Sequence, residues 1–162
     1  RRVLYEDGHF IAFVPFFARF PYEVHVYPKE HRTAITELGD GERWALARAL
    51  KATLVRYDGL WGFPLPYMMV QHQRPTDGGP HDYCHFHVEF YPLHRTRDKL
   101  KYLAGSETGA GTFIVDITAE DMAERLRAVP AESAGEAARR PAGPAAAGSG
   151  AGAGGMSEVE AR

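Results

Sequence analysis

Tyr83-Cys84-His85-Phe86-His87-Val88-Glu89-Phe90-Tyr91 alternates without a break. Read as a strand, it sends Tyr83, His85, His87, Glu89 and Tyr91 to one face and Cys84, Phe86, Val88 and Phe90 to the other. The second face is a core. The first sets two imidazoles and a carboxylate in a row, each about 7 Å from the next by the rise of a strand. Groups so placed can hold a metal or meet a phosphate. The plain alternative is that they form the wet side of a half-buried strand.

The flanking sequence predicts more antiparallel sheet. Phe10-Ile11-Ala12-Phe13-Val14 reads as a buried strand closed by Pro15, and Tyr22-Glu23-Val24-His25-Val26-Tyr27 as an alternating strand ended by Pro28. Thr36 or Asp40 can cap a helix carrying Trp44, Ala47, Leu50, Leu54 and Tyr57 on its apolar face, with Gly59 as its stop. Pro66-Tyr67-Met68-Met69-Val70-Gln71-His72 is a further strand, and residues 73–81, rich in Gly, Pro and Asp, are the loop back to the His-x-His-x-Glu strand. Residues 101–107 read as a strand edge or a loop. A last helix starts at Thr118 with Met122, Leu126 and Val129 as its stripe. Hairpins with helices on one face make an α+β domain.

Composition bounds the function. The 162 residues suffice for one domain with a core, 44% hydrophobic and 25% charged as in ordinary globular chains. A net charge of −2 without a Lys/Arg block argues against a nucleic-acid surface. The sequence shows no run of membrane-spanning length and no secretory signal, and its one cysteine, Cys84, falls on the predicted core face. A reduced, cytoplasmic setting is the expectation. The opening Arg1-Arg2-Val3-Leu4-Tyr5 runs almost at once into strand-like sequence, as the middle of a longer protein would. From about residue 131 the composition turns to Ala, Gly, Pro and Ser, so residues 1–129 are expected to form the domain and 130–162 a disordered tail.

Several separated stretches together resemble one family. Phe13-Val14-Pro15-Phe16-Phe17-Ala18-Arg19-Phe20-Pro21-Tyr22-Glu23 followed by Tyr27-Pro28-Lys29-Glu30-His31 is similar to the opening of the C-terminal half of galactose-1-phosphate uridylyltransferases. Arg56-Tyr57-Asp58 with Phe63-Pro64-Leu65-Pro66-Tyr67-Met68, then His72, then the His-x-His-x-Glu-Phe-Tyr-Pro strand, then residues 101–107 follow in the family's order. The resemblance covers about residues 1–128 and implies a histidine-triad-like fold, of which this chain would be the second of two copies. It implies UMP exchange between UDP-glucose and galactose 1-phosphate by a ping-pong route, in which a histidine of a His-Pro-His motif in the first copy becomes uridylylated.

None of the eight histidines here is followed by proline, and no Cys-x-x-Cys is present. No catalytic nucleophile is therefore assigned to this chain, and on its own it is expected to transfer no UMP. Its partners would be the N-terminal half and a second copy in a homodimer. By the same resemblance His72, His87 and Glu89 match three ligands of the family's iron or zinc site, whose remaining ligand is a glutamate of the other half. Many members have histidine where this chain has Glu89, and His85 is an alternative third ligand. Lys101, Tyr102, Ser106 and Glu107 match the stretch that contacts the UDP-sugar, with Ser106 in place of a common tyrosine. Two other readings stand beside this one. A stand-alone histidine-triad hydrolase or transferase would use His87 as nucleophile, oriented by His85 and Glu89; a non-catalytic module would bind or dimerise only. The remaining histidines, His25 among them, read as structural or solvated.

Overall fold

The computed structural model describes residues 1–130. Apart from Pro130, the tail expected from composition lies outside those residues. Five antiparallel strands form the main sheet: β1 (Val3–Glu6), β2 (Phe10–Phe13), β3 (Val24–Pro28), β4 (Tyr67–His72) and β5 (His87–Pro92), in the order β1-β2-β3-β5-β4. A small ribbon pairs β6 (His94–Thr96) with β7 (Lys99–Leu100). The helices are α1 (Asp40–Leu60), α2 (Gly105–Ala110) and α3 (Ala119–Arg127), with a 3-10 turn at Ile35–Glu37.

Register sorts the side chains between two faces. Ala12 lies opposite Val26 and Val26 opposite Val88, while Val24 lies opposite Phe90. With Phe10 these residues are fully or almost fully buried, and α1 and α3 cover their side of the sheet. Burial of each aromatic or branched side chain there is worth about 1.5–3 kcal/mol. The opposite face carries Phe13, His25, Glu89 and Val70 across one rung. His72 and His87 pair on the next.

Four sequence expectations need correction. The alternating run is not strand throughout: Tyr83 lies in a turn, and β5 begins only at His87. Its neighbour β3 ends at Pro28, which has no N–H to give a ladder. The chain before β5 bonds elsewhere, with the Phe86 amide donating to the Arg32 carbonyl at 2.6 Å. Cys84 is in consequence only partly buried. The apolar face of α1 is also turned from the expected one. Ala45, Leu46, Ala49 and Tyr57 are buried, Leu50 and Leu54 flank them, and Trp44 is 71% exposed. Two alanines let the helix backbone lie close against β2, where an indole would not fit.

The cap of α1 is Gly39, whose amide donates to Glu42 Oε2 at 2.8 Å, and the helix runs one residue past Gly59. Finally, residues 105–110 are helix rather than strand edge. Glu107 accepts from the Ala104 amide at 2.7 Å, and Gly111 closes the turn at φ 64°, a conformation open to glycine. At α3 the expected start holds, with Thr118 Oγ1 accepting from the Asp121 amide at 3.1 Å. No helix among the described residues is long and apolar enough to cross a membrane.

Candidate metal centre and its surroundings

β4 and β5 bring the residues together because His72 and His87 are direct cross-strand partners and Glu89 lies one rung along the same face. His72 Nε2 is 3.1 Å from Glu89 Oε2, and His87 Nε2 is 3.3 Å from Glu89 Oε1. One ligand atom from each residue falls within 4.8 Å of the others. Donors on a tetrahedral zinc at about 2.1 Å lie roughly 3.4 Å apart, and the two imidazoles approach Glu89 at such distances, each on a different carboxylate oxygen. Two imidazoles and a carboxylate with an open fourth position suit zinc or ferrous iron.

The hydrogen bonding of His87 strengthens this fit. Its Nδ1 lies 2.8 Å from the His85 carbonyl, which can only accept, so Nδ1 carries the hydrogen. In the neutral ring Nε2 then offers a lone pair toward a carboxylate oxygen. Two lone pairs facing across 3.3 Å repel unless a cation, a proton or a metal ion, lies between them. A ligating histidine commonly has its other nitrogen fixed by a carbonyl in this way.

Glu89 is 7% exposed and held from several directions. The Tyr91 hydroxyl donates to its Oε2, and Arg19 Nη2 donates to that hydroxyl at 3.1 Å. His25, its cross-strand partner on β3, places Nε2 at 3.5 Å from Oε1 and at 2.8 Å from Glu23 Oε1. Glu23 accepts the Arg19 and Phe20 amides on its other oxygen, at 2.7 and 3.0 Å. Tyr22, just before it, has φ 62°, which costs a non-glycine residue about 1–3 kcal/mol. The core holds it there: the Tyr57 hydroxyl donates to its carbonyl at 2.7 Å, and Arg125 donates to its hydroxyl at 3.2 Å.

His85 does not join the cluster. Its Nε2 lies 3.1 Å from the Pro28 carbonyl and its ring stacks on His31 and Tyr27. Burial lowers its pKa, as do His31 and His87 nearby. Its side chain is thus neither a third ligand nor the orienting group of His87; that role falls to its carbonyl. Tyr27 stacks flat on the His87 ring at 4.5 Å, and burial followed by the Glu89 charge raises its phenol pKa.

Lys101 and Glu107 face each other. Lys101 Nζ lies 2.5 Å from Glu107 Oε1 and donates to the Ile114 carbonyl at 2.8 Å. With Pro21, Arg95, Tyr102 and Asp116 they line a cleft of about 150 Å³. Tyr102 is 82% exposed, and Ser106 is exposed on α2. A larger cleft of about 400 Å³ under residues 73–79 holds none of the candidate residues, and its one charged group, Arg74, pairs with Glu37 at 3.1 Å.

The Lys101 ammonium, then the Ala104 and Ile114 amides, hold the Glu107 carboxyl down at about 2, against an ordinary 4.5. A depressed carboxylate pKa stabilises the fold fully above the unfolded value, and that stability is lost as pH falls through the folded one. Thermal unfolding of the parent should therefore weaken between pH 4.5 and about 2. Glu107→Gln should flatten that part of the profile. Equal acid slopes in parent and variant would refute the linkage.

Sequence reasoning gave Arg19, Glu23 and Tyr91 no role at the site and read His25 as structural or solvated. For His25 a signal existed: antiparallel pairing of its strand with the His-x-His-x-Glu strand sets it opposite Glu89. Arg19 and Glu23 act through a turn that no periodicity describes.

The sequence profile of the family described as galactose-1-phosphate uridyl transferase, C-terminal domain, matches residues 1–138. The chain belongs to this family. The galactose-1-phosphate uridylyltransferase of Thermotoga maritima is 45% identical over 132 residues, 81% of this chain and 42% of that protein. A solved uridylyltransferase superposes with a TM-score of 0.73 at 46% identity, covering 79% of this chain and 40% of the other. The chain thus spans about two fifths of the length of these uridylyltransferase relatives. A Hit-like protein from Bartonella henselae, 15% identical with a TM-score of 0.53 over 80% of this chain and 86% of its own, shares the fold alone. The α+β, histidine-triad-like architecture expected from the sequence is the one observed.

Proposed function

We propose that this chain is the C-terminal part of a UDP-glucose–hexose-1-phosphate uridylyltransferase of galactose metabolism, exchanging UMP between UDP-glucose and galactose 1-phosphate in the cytoplasm. The observation that carries the reading is the convergence of His72, His87 and Glu89 in a chain of this family. In the reaction, a histidine on another polypeptide segment attacks the α-phosphorus and glucose 1-phosphate leaves. The phosphate oxygen of galactose 1-phosphate then displaces that histidine to give UDP-galactose.

Within this reading His72, His87 and Glu89 hold a zinc or iron ion, and the ion supplies a rigid tie between β4 and β5. His87 offers Nε2 because Nδ1 is committed to the His85 carbonyl. Lys101 neutralises pyrophosphate charge, Glu107 accepts from hexose hydroxyls, and Tyr102 and Ser106 complete that edge. The Lys101–Glu107 pair is closed in the free chain, so ligand binding exchanges one partner for another.

The N-terminal half finds its support in β4. Among the described residues this edge strand pairs only with β5, and Tyr67, Met68, Met69 and Val70 are each 38–46% exposed. Apolar side chains on both faces beside an unpaired backbone fit added strands. A homodimer would extend the contact surface at residues 101–107.

The test is reconstitution. The chain alone should transfer no UMP from UDP-glucose, and mixing or co-expression with a family N-terminal half bearing His-Pro-His should restore transfer. Activity of the isolated chain, or no activity in the assembled pair, would sink the reading.

A further inference from the structure

His25 is the most deeply buried imidazole in the described residues, 1% exposed, and nothing in the chemistry above uses it. It sits between two buried carboxylates, with Nε2 2.8 Å from Glu23 and 3.5 Å from Glu89. Both neighbours accept, so Nε2 carries a hydrogen. Its Nδ1 is buried and has no partner. A histidine kept in such a place leaves one ring nitrogen unsatisfied, a penalty that an aliphatic side chain on this rung would avoid, while its other nitrogen ties it to Glu23. Packing alone does not account for it.

Resting on the metal reading, we propose that His25 is a positioning residue of the His72–His87–Glu89 centre, acting through Glu89. A carboxylate rotates and offers two equivalent oxygens, so the plane of Glu89 has to be set by its neighbours. The Nε2 edge of His25, hydrogen-bonded to Glu23 at 2.8 Å, lies 3.5 Å from Oε1 on one side, while the Tyr91 hydroxyl donates to Oε2 on the other. Both restraints begin in one turn: Glu23 anchors His25 and binds the Arg19 and Phe20 amides, and Arg19 anchors Tyr91. The turn is itself set by Tyr22, locked from behind by Tyr57 and Arg125. Glu89 is thereby presented with its plane fixed before any cation arrives, which lowers the ordering cost of binding.

The test measures zinc affinity of the full 162-residue chain by competition with a chromogenic chelator. His25→Phe keeps a ring among Phe13, Phe17 and Tyr27 but cannot donate. It should bind zinc roughly 10–100-fold more weakly, the range for losing a group behind a ligand. His25→Gln, whose amide nitrogen can occupy the Nε2 position, should recover most of that loss. The visible spectrum of the cobalt-loaded chain should shift in His25→Phe and return in His25→Gln, a readout that mere packing damage would not give. Should His25→Phe fail to fold, His25→Leu supplies the same comparison. Parent-like affinity in the apolar variant, or equal weakening in Phe and Gln, would overturn the positioning role and leave the metal reading standing. No zinc binding by the parent would overturn both.

Discussion

Glu89→Ala should empty the proposed metal centre. Removing the carboxylate takes away the group that both imidazoles approach, at 3.1 and 3.3 Å, and metal affinity is expected to fall by roughly 100-fold or more, beyond what a supporting residue costs. His72→Ala should do the same from the solvent side, where that imidazole is 46% exposed and its loss leaves no buried cavity. Glu89→His gives the contrast: an imidazole restores a nitrogen ligand that suits zinc or iron, so metal should be retained. Elemental analysis after dialysis reads all three. Equal metal content in parent, Glu89→Ala and His72→Ala would end the assignment, and His72, His87 and Glu89 would be a hydrogen-bonded polar cluster.

The second large effect is on stability. Glu23→Ala should lower unfolding free energy by about 3–5 kcal/mol, since three buried donors lose their acceptor at about 1–3 kcal/mol each before water or relaxation offsets part of the loss. Glu23 is fully buried, and its two oxygens satisfy His25 and the Arg19 and Phe20 amides. Each donor left without an acceptor contributes. In a domain of this size the melting temperature should fall by on the order of 10–20 °C. Glu23→Gln keeps one carbonyl acceptor and should lose less. A shift under 3 °C in Glu23→Ala would show that water replaces the carboxylate and that the turn does not depend on it.

The sequence disclosed the sheet better than the helices. Strict alternation in residues 87–91 and 24–27 separated Val88, Phe90, Val24 and Val26 from His87 and Glu89. That much is local arithmetic, while the pairing of the two strands came only with the structure. The face of α1 was not legible, because two alanines flush against the sheet carry less hydrophobic weight than Trp44, which ended up outside. The stop at His87 depended on Pro28 in a strand nearly sixty residues earlier. Of the site, His72, His87 and Glu89 were named from sequence and lie together. His85 was placed beside them by periodicity and was removed by the end of the ladder. Tyr91 shares the Glu89 face by alternation and reaches it directly, whereas Arg19 and Glu23 act through a turn held at positive φ, a geometry no pattern of polar and apolar residues encodes.

The open margin at β4 has a practical side. A six-residue strand with Tyr, Met, Met and Val along an unsatisfied row of amides and carbonyls is a template for any extended peptide, its own copies included. Only Gln71 and His72 interrupt its greasiness, and neither is a permanent charge of the sort that guards such borders against sticking. With that border left open, the polypeptide is poised to clump as its concentration rises.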